Sequence, residues 1–164
     1  MNADIVRRLE SLAVIEWSGT VYRHVFGDLR PDRENTRGAR WNPPETPAIY
    51  CSLSREAAVA EGNHLAGLYP VAPSVEQKVH TIRVRLSRVV DLSDWKLLKQ
   101  LGVEASAFEA DDYTTTQAVG GLAEWLGCDG IIVPSARHSG GNLVVFPRKA
   151  EITDYFDAVA VEVL

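Results

Sequence analysis

The residues equipped for chemistry fall in two stretches. RGARWNPPETPAIYCSLSREAAVAEGNHL, Arg37 to Leu65, sets Arg40 ahead of Trp41, Asn42 and two prolines, a poor setting for regular structure. Tyr50 follows ten residues later, and Glu61 eleven residues after that. The second stretch, IIVPSARHSGGNLVVFP, places Ser135 and Asn142 at the two ends of a loop and adds Arg137. A guanidinium presents a planar fork to an anion. A phenol offers a flat wall at low entropic cost, and a carboxylate stabilises a cation that develops beside it. Each residue also has an ordinary structural explanation. Arginines pair with surface carboxylates, strand tyrosines fill cores with their hydroxyl satisfied, and helix glutamates are solvated. His64, at i+3 from Glu61 on one helix face, either orients that carboxylate or sits at the edge of a core. Ser135 and Asn142 are common turn residues as well.

The elements that must position these groups are legible in the periodicity. Ile5, Leu9 and Leu12 predict a short helix over Ala3–Leu12, and Thr20–Phe26 alternates as a strand. Gly27–Ala39 is a long polar loop containing Arg30, Arg33 and Arg37. Pro47–Ser52 is a short apolar strand carrying Tyr50. Ser54 caps a helix that carries Glu61 and runs to about Leu68, with Pro70 and Pro73 closing the region. Val79–Leu92 is a half-buried strand whose Arg83 and Arg85 face water. Helices follow over Asp94–Leu101, stopped by Gly102, and Thr115–Leu126, capped by Gly127. Gly130–Val133 and Asn142–Phe146 are strands around the Pro134–Gly141 loop, and Ala158–Val163 is the last. Trp95, Trp125 and Phe108 are expected in the core or in helix packing, whereas Trp17 has no clear place. Strands with helices inserted between them predict a single α/β domain over residues 1–164 with substantial antiparallel pairing.

Composition narrows the function. The 164 residues carry 17 Lys and Arg against 22 Asp and Glu, a net charge of −5, and an acidic chain lacks the basic field that grips nucleic acid. Cys51 and Cys128 sit in apolar runs without metal-ligand spacing and are expected as reduced core thiols. The first ten residues lack an apolar signal-peptide core, and no apolar run approaches the ~20 residues that span a bilayer. A reduced cytoplasmic setting is the expectation. There is no G-x-G-x-x-G after a strand, no P-loop, no zinc motif among His24, His64, His80 and His138, and no G-x-S-x-G elbow.

Taken in order, Tyr22–Arg23, "GARWNPP…PAIY", "A…EGNHL" and "VPSAR…GNLVVFP" resemble the RES-domain toxins of type II toxin–antitoxin pairs, across about residues 21–147. Two departures touch loop geometry: Ala39 where the family commonly has a second glycine before the arginine, and Pro44–Glu45 where a glycine often follows the "NP" turn.

The resemblance implies an ADP-ribosyltransferase-like fold, with mixed, largely antiparallel sheets and inserted helices, that binds NAD+ and cleaves its nicotinamide–ribose bond. NAD+ is then the substrate and no metal is needed. The residues suit that chemistry. Arg40, with Arg23 as a second cation, matches the pyrophosphate. Tyr50 matches the nicotinamide ring, and Glu61 the oxocarbenium-like ribose. His64, Ser135 and Asn142 stand in support. The preferred reading is a toxin that depletes NAD+, with water or phosphate as acceptor. A transferase acting on a protein, through the Gly27–Ala39 or Ala105–Thr116 segment, and a non-catalytic binding module are the alternatives. The family further implies a helix-turn-helix (Xre-type) antitoxin partner that supplies the DNA binding this chain lacks.

Overall fold

Branched apolar residues alternating along the middle of the chain become the longest strand of the fold. The computed structural model describes residues 2–68, 74–147 and 155–164. Among the described residues six strands are formed: β1 (Ile15–Phe26), β2 (Ile49–Ser52), β3 (Gln77–Asp91), β4 (Gly130–Pro134), β5 (Gly141–Val145) and β6 (Phe156–Val163). The helices of the described residues are α1 (Ala3–Glu10), α2 (Arg55–Leu68), α3 (Trp95–Gln100), α4 (Ala105–Glu109) and α5 (Thr114–Trp125). Asn2, Ser54 and Asp94 cap α1, α2 and α3 through their side-chain oxygens. Pro70 and Pro73, expected to close the α2 region, lie outside the described residues.

The strands run β1-β2-β5-β4-β3-β6, and β1 also pairs with β3, so β1, β2, β5, β4 and β3 close into a ring. Val21 lies opposite Ile82 in the β1–β3 pair, and β6 adds along the same β3. All these pairings are antiparallel except β3 with β4, which are parallel and joined through α3, α4 and α5, as a parallel pair requires. The α/β expectation with largely antiparallel pairing holds.

The ring carries two cores because strand side chains alternate between faces. Inside are Val21, Ile49, Cys51, Ile82, Val84, Leu86, Ile132, Leu143 and Val145. Outside, Val90, Leu92, Ile131, Val133 and Val144 meet Leu9 of α1, Leu98 of α3, Phe108 of α4, and Val119 and Leu122 of α5. Each fully buried Leu or Ile contributes about 1.5–3 kcal/mol, so both faces are held strongly.

Several local expectations need correction. β1 starts at Ile15, earlier than Thr20, because Gly19 leaves room for the Trp17 ring, which would lie 2.8 Å from a Cβ there and packs on the inner core. Helix α4 forms within the Ala105–Thr116 segment offered as an acceptor-docking loop and is pinned by Phe108, whose ring meets Trp95 and Trp41. Trp125 is 74% exposed: the buried stripe of α5 is Thr116, Val119, Gly120, Leu122 and Ala123, and Trp125 lies off it. Arg83 and Arg85 are exposed, and Cys51 and Cys128 are buried, as expected.

Candidate active site

The Arg40 turn is built before the arginine itself is used. Gly38 takes φ 94° and the Ala39 N–H donates to the Asn42 carbonyl at 3.0 Å, closing a tight turn over residues 39–42. The Trp41 N–H donates to the Tyr50 hydroxyl at 2.9 Å, and that hydroxyl donates to Asn42 Oδ1 at 2.6 Å. Asn42, fully buried, donates onward to the carbonyls of Asn35 and Thr46. From below, α5 presses so close that a Cβ on Gly120 would lie 1.7 Å from the Trp41 carbonyl oxygen, and one on Gly121 would lie 3.1 Å from Pro43. Gln117 of the same helix donates to the Ala39 carbonyl at 2.9 Å. The two adjacent glycines of α5, weak helix formers, are there because the Trp41 backbone and the Pro43 ring lie against them.

Arg40 is 9% exposed. Its Nη1 donates to the Phe108 carbonyl at 2.9 Å and its Nη2 to Asp111 Oδ1 at 2.7 Å. The guanidinium lies 4.2 Å from the Phe108 ring centroid and 4.8 Å from that of Tyr113, a stacking arrangement that favours arginine over lysine. The hydrogen bond from Arg40, then the Arg137 charge, holds the Asp111 carboxyl below the usual carboxylate range.

A continuous line of polar contacts runs from here to Glu61. Arg137 Nη2 donates to Asp111 Oδ1 at 3.3 Å, the Arg137 N–H donates to Ser135 Oγ at 3.2 Å, and Ser135 Oγ donates to Glu61 Oε1 at 3.4 Å. The last is longer than the roughly 2.5–3.0 Å of an ordinary hydroxyl hydrogen bond and is a weak contact. Glu61 is half-buried on α2, whose position follows from Gly62: a Cβ there would fall 2.2 Å from the His24 ring. His64 is half-buried on the Glu61 side of α2 and has no hydrogen bond among the described residues.

The remaining candidates divide by face. Tyr22, Ser52 and Asn142 lie side by side across β1, β2 and β5 on the face that carries Tyr50. Asn142 Oδ1 is buried without a hydrogen-bond partner among the described residues. Arg23 alternates to the opposite face and donates through Nη1 to the carbonyls of Pro31 (2.6 Å) and Arg33 (2.8 Å), so it ties down the 27–39 loop. Burial lowers its pKa. Burial likewise pushes the Tyr50 hydroxyl up, which keeps it a neutral donor and acceptor.

The structure therefore joins Arg40 to Tyr50 through the Trp41–Asn42 turn, and to Glu61 and Ser135 through Asp111 and Arg137. It sets Asn142 on the Tyr50 face and Arg23 on the other. Sequence reasoning missed Asp111, Tyr113 and the second role of Phe108. They reach Arg40 across 71, 73 and 68 positions respectively, a closure no local spacing announces. An open cleft of about 480 Å³ lined by Arg55, Val59, Asn63, Gln77 and Leu164 contains none of these candidates. Among the described residues no group of three His, Cys, Asp or Glu side chains is placed to hold a metal ion, and no helix is long and apolar enough to cross a membrane.

This chain, a ring of mostly antiparallel strands with helices against it, is a member of the RES domain family, whose model matches residues 15–160. Among its relatives is the NAD(+) phosphorylase MbcT of Mycobacterium tuberculosis and of Mycobacterium bovis. Each is 32% identical over 153 residues, covering 88% of this chain and 81% of the relative. The crystal structure of the M. tuberculosis MbcT–MbcA toxin–antitoxin complex contains a chain that superposes with a TM-score of 0.82 at 30% identity, over 99% of this chain and 93% of that one.

Proposed function

We propose that this protein is an NAD+-cleaving toxin of a toxin–antitoxin pair, with phosphate as acceptor. The observation that carries the reading is the polar line from Glu61 through Ser135, Arg137 and Asp111 to Arg40. It sets a carboxylate and a fixed guanidinium in one connected site, the two charges NAD+ needs at its ribose and its pyrophosphate. Similarity to an NAD(+) phosphorylase supports it.

In this reading Arg40 takes the pyrophosphate and the Tyr50 ring lies against the nicotinamide. Glu61 faces the ribose. The C1′–N bond breaks with its electron pair going to the ring nitrogen, so nicotinamide leaves neutral and no strong acid is required. Positive charge builds on the ribose, where the Glu61 carboxylate stabilises it more than it stabilises the ground state. A phosphate oxygen then bonds C1′. Ser135, Asn142 and His64 serve the ribose hydroxyls and the amide, and Arg23 keeps the 27–39 loop in place. The partner is an antitoxin of the helix-turn-helix (Xre) kind that covers the cleft, and the setting is the cytoplasm.

The test is nicotinamide release from NAD+ by purified protein, wild type against Glu61→Gln, with and without inorganic phosphate. Release by wild type, stimulated by phosphate and reduced at least 100-fold by the substitution (about 2.7 kcal/mol), is the expected result. Release without phosphate would make water the acceptor. Label transferred to a protein would make it a transferase. No release under any condition would sink the reading.

A further inference from the structure

Asp111 takes φ 57°, a left-handed conformation uncommon outside glycine and best tolerated by Asp and Asn. From there its Oδ1 accepts from two guanidiniums, Arg40 at 2.7 Å and Arg137 at 3.3 Å. The three side chains differ in depth: Arg40 is 10% exposed, Arg137 26% and Asp111 50%. The anion is the outer member and the cations lie beneath it. Arg40 is fixed independently, by the Phe108 carbonyl and by the rings of Phe108 and Tyr113. Removing the carboxylate would leave two guanidiniums converging on one point, the arrangement that phosphate oxygens fill. An ion pair half in water is screened and exchanges readily.

We propose that the Asp111 carboxylate is a resident anion that occupies the Arg40–Arg137 pair until a phosphate group, from NAD+ or from inorganic phosphate, takes its place. The inference rests on the reading that Arg40 faces phosphate, and adds that the free protein fills that place with a group of its own. A ligand that must displace a resident group binds more weakly than the bare site allows, by the fraction of time the site is free. The carboxylate thus sets the phosphate concentration at which the site fills.

The experiment titrates inorganic phosphate into the full-length protein by calorimetry, wild type against Asp111→Asn and Asp111→Gly. It measures the NAD+ KM for nicotinamide release in parallel. Asn keeps the size and Gly suits the backbone angle. The expected result is phosphate binding roughly tenfold tighter in either variant, or an NAD+ KM roughly tenfold lower. Tightening confined to phosphate assigns the pair to inorganic phosphate, and a fall confined to KM assigns it to the pyrophosphate. Both outcomes support the exchange. Unchanged or weaker binding in both measurements overturns it. Should neither variant fold, the carboxyl carbon signal of Asp111 in the wild type decides: saturating phosphate must shift it, and a fixed signal sinks the idea. If the wild type releases no nicotinamide, the NAD+ reading fails while the phosphate titration still judges Asp111.

Discussion

The Tyr50 hydroxyl stands 2.6 Å from Asn42 Oδ1 and 2.9 Å from the Trp41 backbone nitrogen, so one side chain closes the turn that carries Arg40. Tyr50→Phe keeps the ring and deletes both bonds. A buried N–H and a buried amide oxygen are left unpaired, at a cost of about 1–3 kcal/mol. Chemical denaturation should show that loss, and nicotinamide release should fall with it because Arg40 loses its placement. Full stability and full activity in the variant would mean the ring alone matters.

Gly120→Ala is a harsher test of the same turn. The added Cβ would sit 1.7 Å from the Trp41 carbonyl oxygen, which is backbone and cannot swing aside. Either α5 or the turn must move. We expect a loss of several kcal/mol, at the upper end of single substitutions, and loss of NAD+ cleavage. Gly67→Ala meets nothing within 4 Å on α2 and is the control: its stability should be unchanged or slightly raised. Equal effects of the two substitutions would refute the packing argument.

Most elements were legible because their periodicity is strong. The alternation of Val79–Leu92, the Ser54 cap before α2 and the Gly127 stop after α5 are local patterns, and each element stands where its pattern lay. Arg40, Tyr50, Glu61 and Ser135 stand out as candidates for the same reason: their types and spacing are read along the chain. The rest depends on chain closure. Asp111 meets Arg40 only because α4 returns over the Trp41 turn, and Arg23 faces away from Tyr22 because neighbours in a strand alternate. The closed ring itself follows from β1 pairing with both β2 and β3, a long-range register that no single segment encodes.

The depressed Asp111 carboxyl implies a defined pH dependence. A group whose folded pKa lies below its unfolded value, ordinarily ~3.9 for Asp, adds stability above that value and loses it as pH falls through the folded one. The hydrogen bond from Arg40 and the Arg137 charge lower it here. The stability difference between wild type and Asp111→Asn should therefore be constant from neutral pH down to about 4 and shrink below that. Asp112, lowered by its bonds to Thr114, is common to both proteins and cancels. Denaturation curves at a series of pH values provide the check. A difference that stays flat through the acid range, or grows, would mean the two arginines do not hold the carboxyl down in solution.

The seat of Glu61 can be tested from beneath. Gly62 meets the His24 ring so closely that an added Cβ would fall 2.2 Å from it, and that ring is held edge-on to Phe26 at 4.7 Å with Nε2 3.0 Å from Gln77 Oε1. A ring wedged in this way cannot yield, so Gly62→Ala should lift α2 and carry Glu61 away from Ser135. We expect reduced stability and a fall in kcat for nicotinamide release with little change in KM, since the carboxylate acts on the transition state. His24→Ala in the same chain removes the obstruction and opens space for the new methyl. The double variant should regain part of the lost kcat, a non-additive interaction between touching sites. Strictly additive losses would mean that Gly62 is required for some reason other than the His24 ring.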